Sequence, residues 1–119
     1  MKKSGNSNYV PNQGDIVWLD FNPRKGREQA GHRPAIVISP KPFNSLSSLV
    51  FVCPVTSKIK GFNFEISLPE EMQTKGVILI HHLRSVDWKI RGIKFIESAP
   101  VSVLEEISAK LKPLINYES

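Results

Sequence analysis

The sequence PAIVIS, residues 34–39, is a continuous apolar run that opens at Pro34 and is closed by Pro40. An apolar run of this length between turn residues favours a buried strand. A second run of the same kind, LVFVCPV at 49–55, follows after a segment rich in proline and serine. These two runs predict two buried strands, and the rest of the fold is inferred around them.

Shorter β-rich segments lie on both sides of the two apolar runs. Strands are expected at DIVWLDF (15–21), FNFEISL (62–68), VILIHHLRSVDW (77–88) and GIKFIES (92–98). The third of these is long enough to bend or to form two strands, and Pro54 is expected to make the end of the 49–55 strand an edge or a bulge. Short strands spaced by roughly ten to fifteen residues, with turn signals between them, are typical of a small barrel or sandwich.

The C-terminal segment SVLEEISAKLKPLINY has helical periodicity instead. Ser102, with Glu105 three positions later, is a capping-box signature. An apolar face is formed at helical spacing by Val103, Leu104, Ile107, Leu111, Leu114 and Ile115. Pro113 removes a backbone donor and clashes with the preceding turn, so a helix is expected over about 102–112, followed by a kink or a separate last turn.

Length and composition indicate one globular domain over residues 1–119, with 40% hydrophobic and 23% charged residues. Residues 1–8 are expected to form a flexible polar tail. The start has no apolar stretch behind its lysines, and no run is long enough to span a membrane, so a cytoplasmic protein without a membrane partner is expected. The single cysteine, Cys53, agrees with a reducing compartment and is expected to be a buried apolar residue.

The charge distribution points to a polyanionic ligand. The chain carries a formal net charge of +5, and the stretch 24–60 holds seven lysines and arginines against one carboxylate, Glu28. Nucleic acid is the leading candidate for such a ligand. An ordinary solvated surface is the alternative, and charge alone does not decide against it.

Two loops carry the candidate chemistry. In NPRKGREQAGHR (22–33), Arg33 lies where the loop meets the buried strand, and its planar fork of donors suits phosphate oxygens. Glu28 could pair with Arg33 or accept a proton from a reacting hydroxyl, and for an isolated pair the salt bridge is the commoner outcome. In TSKIKG (56–61), Thr56 and Ser57 place hydroxyls at a strand end beside lysines, although a solubilising turn explains them equally well.

Other chemistries have weaker support in the sequence. His32 with His81 or His82 could act as general base and acid in a metal-free ribonuclease, because imidazole titrates near neutrality. Adjacent histidines on a strand would point to opposite faces, and no spaced ligand set is present, so no metal and no cofactor are expected. Phosphate-loop and nucleophile-elbow motifs are absent from the sequence. Trp18 and Trp88 are expected in the core or an interface, with base stacking a lesser alternative.

Three stretches together resemble the MazF/PemK family of toxin endoribonucleases. They are YVPNQGDIVWLDFNPRKGREQAGHRPAIVISP (9–40), CPVTSKIKGFNFEISLP (53–69) and GVILIHHLRSVDW (76–88). The resemblance implies a mainly β fold, an SH3-like twisted β-barrel with a C-terminal α-helix, assembled as a homodimer. It also implies sequence-specific, metal-independent cleavage of single-stranded RNA that leaves a 2′,3′-cyclic phosphate and a 5′-hydroxyl.

The resemblance further implies roles for individual residues. The catalytic arginine corresponds to Arg33, the catalytic hydroxyl to Thr56 and the loop glutamate to Glu28. RNA contacts carried over by analogy are Asn22, Lys25, Gln29, His32, Ser57, Lys58, Lys60, His82 and Arg84. A cognate antitoxin is expected to cover the groove formed by these RNA-binding residues with an acidic C-terminal segment.

The HHLR stretch at 81–84 departs from the family, since several relatives have an acidic residue and a glutamine at the two histidine positions. The base sequence that is recognised therefore cannot be copied from a relative. Two rival functions remain on the same fold. One is a toxin like CcdB that poisons gyrase by binding it, and the other is an SH3-like binding module. Fold alone does not separate these from a nuclease.

Overall fold

A computed structural model describes residues 8–21 and 31–116 of the chain. The strands are β1 (Asp15–Asp20), β2 (His32–Val37), β3 (Leu49–Thr56), β4 (Glu65–Ser67), β5 (Val77–Leu79), β6 (Arg84–Asp87) and β7 (Lys94–Ser98). The helices are α1 (Lys41–Ser47), α2 (Trp88–Arg91) and α3 (Val101–Ile115), with a 3₁₀ turn at Ile80–His82. Within the described residues, no helix is long and apolar enough to cross a membrane.

The seven strands in the described part of the chain form one antiparallel sheet in the order β4-β5-β3-β2-β1-β7, and β6 pairs with β3. This confirms the predicted mainly β fold with a C-terminal helix. The end strands β4 and β7 are not paired with each other in the described part of the chain, so the sheet is barrel-like and open. Strand β3 lies near the middle of the sheet and pairs with three strands, because its partner on one edge changes from β6 to β5 along its length.

Pro54 was predicted to make the end of β3 an edge or a bulge, and within the described sheet it is paired on one side only. The strand continues to Thr56, with Pro54 paired to Ala35 of β2 on one side. On the other edge β6 pairs with residues 49–52 and β5 pairs with residues 55 and 56. Pro54 therefore lies where one partner strand gives way to the next, and its missing N–H interrupts neither ladder.

Apolar side chains fill both faces of the sheet, which explains the unbroken apolar runs of β2 and β3. One cluster includes Ile36, Cys53 and Val55 and is covered by α3. The other includes Ala35, Val37 and Val52 on the opposite face. Because consecutive strand residues point to opposite faces, each run contributes to both clusters.

Helix α3 differs from its prediction at both ends. It begins at Val101 after Pro100, and no side chain caps it, so the capping role predicted for Ser102 is wrong. It also continues through Pro113, because the backbone bond from Asn116 N–H to the Lys112 carbonyl, at 2.8 Å, closes the last turn beyond the proline.

The apolar face of α3 is shorter than predicted. Val103, Ile107 and Leu111 are buried against the sheet. Leu114 and Ile115 are 48% and 72% exposed, because the helix has by then passed the edge of the core.

The segment 77–88 forms two strands joined by the 3₁₀ turn, which confirms one of its two predicted forms. The predicted strand 62–68 is reduced to β4. The short helices α1 and α2 were not predicted. Helix α2 is capped by the Asp87 carboxylate, which accepts bonds from Lys89 N–H and Ile90 N–H at 3.1 Å each.

Candidate active site

The sheet brings Arg33 and Thr56 level with each other. The register of β2 and β3 pairs Ala35 with Pro54, and two residues further along the two strands lie Arg33 and Thr56. Continued by two residues, this register sets them opposite each other, with their side chains on the same face of the sheet. The guanidinium and the hydroxyl therefore rise from neighbouring strands on one side of the sheet, as a shared ligand would require.

Arg33 and Thr56 form a row across β2 and β3, and the neighbouring strands extend this row on both sides. Arg33 is paired with Leu19 of β1, and Thr56 is paired with Val77 of β5. Leu19 and Val77 are both buried, whereas Arg33 is half-buried. Arg33 is the second residue of β2, so its predicted place at the junction of loop and strand is confirmed. Its Cα is thus fixed by the sheet.

Thr56 is the last residue of β3 and is buried. Its Oγ1 accepts a hydrogen bond from the Lys58 backbone N–H at 3.1 Å. Accepting this bond does not use the hydroxyl proton, so the group can still donate to a phosphate oxygen. The same bond turns the chain sharply into the basic loop that follows.

Gly76 holds Thr56 in place, a role that was not predicted from the sequence. A Cβ atom at Gly76 would lie 2.2 Å from the Thr56 carbonyl oxygen, and the residue has φ +118°. Only glycine combines such a backbone angle with this close approach. The one signal in the sequence is its position directly before the apolar run of β5.

The loop after β3 presents the predicted cations to solvent. Ser57, Lys58 and Lys60 are exposed. The Glu65 carboxylate fastens this loop, because it accepts bonds from Lys60 N–H at 3.0 Å and from Gly61 N–H at 2.9 Å. Glu65 is thus a second positioning residue that the sequence analysis did not identify.

Arg84 brings another guanidinium to the end of β1. Its guanidinium carbon lies 5.6 Å from the centre of the Phe21 ring, a cation–π contact. Phe21 N–H in turn donates to the Gly31 carbonyl at 3.0 Å, just before β2 begins. Among the described residues, the buried Nη1 of Arg84 has no hydrogen-bond partner. A buried cationic donor in this state favours an acceptor supplied by a ligand.

The predicted histidines lie in two separate settings. His32 is exposed at the start of β2, where its ring is nearly parallel to that of Trp18, with centroids 6.3 Å apart. His81 and His82 lie in the 3₁₀ turn, not on a strand, so the prediction of opposite faces is wrong. Their rings meet edge to face at 4.5 Å, and His81 also contacts Phe64 at 5.2 Å.

The lone cysteine and the tryptophans follow the predictions in part. Cys53 is buried, and burial raises the pKa of its thiol to about 12, so it is a packing residue and not a nucleophile at neutral pH. Trp88 is buried in the core as expected. Trp18 is 41% exposed, which excludes the core, so of its two predicted places only an interface stays a prediction.

Four predicted site residues lie outside the described residues. They are Asn22, Lys25, Glu28 and Gln29, all in the stretch 22–30. Their roles therefore stay predictions.

The pattern of these residues along the chain matches a known family. Residues 12–115 match the family described as PemK-like, MazF-like toxin of type II toxin-antitoxin system. The chain belongs to this family. Its sequence is 40% identical over 109 residues to the endoribonuclease toxin MazF of Escherichia coli K12, covering 92% of this chain and 97% of that protein.

Solved structures agree with the PemK-like, MazF-like assignment. MazF from Deinococcus radiodurans has 44% sequence identity and a TM-score of 0.88, over 92% of this chain and 100% of that one. In a MazE–MazF structure from the same organism the matched chain has 44% identity and a TM-score of 0.83, covering 93% of this chain and 100% of its own length. The fold around the Arg33–Thr56 row is thus that of the family.

Proposed function

We propose that this chain is the toxin of a type II toxin–antitoxin pair and acts as a sequence-specific endoribonuclease on single-stranded RNA. The observation that carries the proposal is the level placement of Arg33 and Thr56 on adjacent strands of a PemK-like, MazF-like fold. A protein that acts only by binding has no need of a guanidinium and a hydroxyl at one point of a rigid sheet. Cleavage of messenger RNA would inhibit translation and growth.

In the proposed reaction the ribose 2′-oxygen attacks the adjacent phosphorus, and the bond from phosphorus to the 5′-oxygen breaks. The 2′-hydroxyl loses its proton to a base and the departing 5′-oxygen gains one, which leaves a 2′,3′-cyclic phosphate and a 5′-hydroxyl. Arg33 neutralises the negative charge that grows on the equatorial oxygens. The Thr56 hydroxyl donates a hydrogen bond to a non-bridging oxygen. Side chains alone perform this step, without a metal.

Glu28 has two possible roles in this reaction. It could take the proton from the 2′-hydroxyl, or it could orient Arg33 by pairing with it. Cations near it in the sequence, Arg27 and Arg33, would stabilise the ionised carboxylate and weaken it as a base. A pH–rate profile of Glu28→Gln separates the roles: a lost acidic limb supports the base, and an unchanged profile at reduced rate supports the orienting partner.

Binding of the RNA is assigned to the residues around the row. The proposed contacts are Asn22, Lys25, Gln29, His32, Ser57, Lys58, Lys60, His82 and Arg84. Lysines in the exposed loop suit phosphates of a flexible strand, since they act as mobile point charges. Arg84 is the strongest of these candidates, because a phosphate oxygen would satisfy its buried Nη1.

The proposed partners follow from the same family membership. A MazE–MazF structure is among the solved neighbours, and we expect a cognate antitoxin to bind this chain with an acidic C-terminal segment over the basic loops. We also expect a homodimer. We also propose a cytoplasmic location, and the single free cysteine, Cys53, supports it.

One experiment separates nuclease from protein-binding toxin. The purified chain is incubated with a long single-stranded RNA in excess chelator, and the cut sites and end groups are mapped. Cuts at a defined sequence, with 5′ ends that accept phosphate from polynucleotide kinase without prior phosphatase treatment, are expected. Intact RNA would contradict the proposal and favour a CcdB-like gyrase-binding toxin on the same fold.

A further inference from the structure

A groove of about 500 Å³ lies beside β1, β7 and α2, and the proposed chemistry does not use it. Its lining combines aromatic rings with cations and includes Tyr9, Trp18, His32, Trp88, Lys89 and Lys94. No carboxylate is among the described residues that line it. An aromatic and cationic groove of this kind suits a planar, anionic ligand.

The sheet register arranges the central part of this groove. Trp18 is paired with Lys94 of β7 on one side and with Pro34 of β2 on the other. His32 lies two residues from Pro34 and points to the same face. The rings of Trp18 and His32 are inclined by only 15°, with centroids 6.3 Å apart, so they form a nearly parallel pair of rings with Lys94 beside it.

The second cation belongs to α2. The Lys89 ammonium lies 5.5 Å from the centre of the Trp88 ring, which keeps it at the groove wall. Cations placed at the edges of an aromatic surface can contact phosphates while bases stack on the rings. Trp18, at 41% exposure, has much of its ring open to such a stack.

The groove is also close to the proposed cleavage site along the chain. His32 directly precedes Arg33 in β2, and consecutive strand residues are about 3.3 Å apart. The two side chains point to opposite faces of β2. The groove therefore lies beside the strand that carries the proposed catalytic arginine.

We propose that Trp18, His32 and Lys94 form a nucleobase-binding subsite for single-stranded RNA adjacent to the cleavage site. The inference rests on the proposed function for the identity of its ligand. An acidic peptide could use the lysines, but it has no planar group to match the nearly parallel rings, whereas every base has one. The subsite therefore contributes affinity over an extended substrate and not the chemical step.

The test measures binding without cleavage. The probe is a fluorescein-labelled single-stranded oligonucleotide with 2′-deoxy sugars, which lacks the attacking hydroxyl. Trp18→Ala is expected to weaken binding by about 5- to 150-fold, the usual range for one lost stack. Trp18→Phe, which keeps an aromatic face, should stay within a few-fold of the parent. Phe43→Ala, which removes an exposed ring outside the groove, is the matched control and should bind as the parent does.

A spectroscopic readout distinguishes stacking from a structural role. The unlabelled oligonucleotide should quench the tryptophan emission of the parent, and this quenching should disappear in Trp18→Phe while binding persists. Lys94→Ala should reduce the slope of log affinity against log salt by about 0.7. Lys112→Ala, on the exposed side of α3, should leave that slope unchanged.

Several results would overturn the subsite. They are unchanged binding by a folded Trp18→Ala, parent emission that does not respond to the oligonucleotide, or emission that responds only to polyglutamate. Failure of the nuclease proposal gives a different pattern: the chain would bind the oligonucleotide through Trp18 and yet leave RNA intact. If RNA is cleaved and Trp18→Ala has the KM of the parent, the subsite alone is wrong.

Discussion

The end of β3 and the loop that follows it differ sharply although they are contiguous. Thr56 is buried, level with Arg33 and packed against the backbone of Gly76. Residues 57–61 are exposed and are held by the Glu65 carboxylate through two backbone bonds. The proposed catalytic residues thus lie on the sheet, where the backbone is rigid. The proposed RNA-binding lysines lie on a loop, where they can adjust to a flexible RNA strand.

Loss of the Arg33 guanidinium should have the largest effect on the cleavage rate. Arg33→Ala is expected to lower the single-turnover cleavage rate at saturating RNA by about 100- to 1000-fold, because it removes a donor that stabilises the transition state. Arg33→Lys, which keeps the charge but not the planar fork, should fall between this variant and the parent. Arg33→Ala that cleaves at the parent rate while remaining folded would remove Arg33 from the mechanism.

A substitution at Gly76, beside the Arg33–Thr56 row, tests whether the position of Thr56 matters for cleavage. Gly76→Ala forces a Cβ against the Thr56 carbonyl and is expected to lower the cleavage rate by up to about 100-fold, the usual result of a small misplacement. It should also cost on the order of 2 kcal/mol in the free energy of unfolding, since the backbone angle is strained for alanine.

Gly61→Ala is the matched control, because Gly61 also has a positive φ, +77°, but a Cβ there meets nothing within 4 Å. Gly61→Ala should lower only the free energy of unfolding, through the strained backbone angle, and should cleave RNA at the parent rate. Denaturant unfolding and single-turnover cleavage measure the two effects separately. Equal cleavage rates in the two variants would contradict the contact between Gly76 and Thr56 as a positioning device.

The smallest effect is expected in the loop. Glu65→Gln replaces charge-assisted bonds to Lys60 N–H and Gly61 N–H with weaker ones, so KM should rise by about 5-fold at most and kcat should stay unchanged. Steady-state kinetics with Glu106→Gln, on an exposed part of α3, provide the control. A fall in kcat instead would show that the loop takes part in the chemical step.

Much of the sheet could be predicted because its strands carry local signals. Runs such as PAIVIS need no knowledge of their partners to be identified as buried strands, and the turn residues around them set the spacing. The two-strand form of 77–88 depends on its partner strands, and the end of α3 at Ile115 depends on the backbone bond from Asn116 N–H to the Lys112 carbonyl. Local propensity alone therefore left the first open and placed the second too early.

The site could be predicted only by its residue types and by resemblance. Arg33 and Thr56 were identified in separate loops, but their level placement is a consequence of the β2–β3 register, which no local pattern specifies. Gly76 and Glu65 act through long-range backbone contacts, so their roles became visible only in the fold. Trp18 was expected in the core or an interface, and its position in β1 leaves it 41% exposed.

The central claim is that Arg33 and Thr56 act together on one phosphate. A double-mutant cycle with Arg33→Ala, Thr56→Val and the combined variant tests it through single-turnover cleavage rates at saturating RNA, each variant checked for folding. We predict that the double variant loses clearly less than the product of the two single losses, because the second substitution removes a contact that the first has already impaired. Losses that multiply would show that the two residues act independently and would contradict the account.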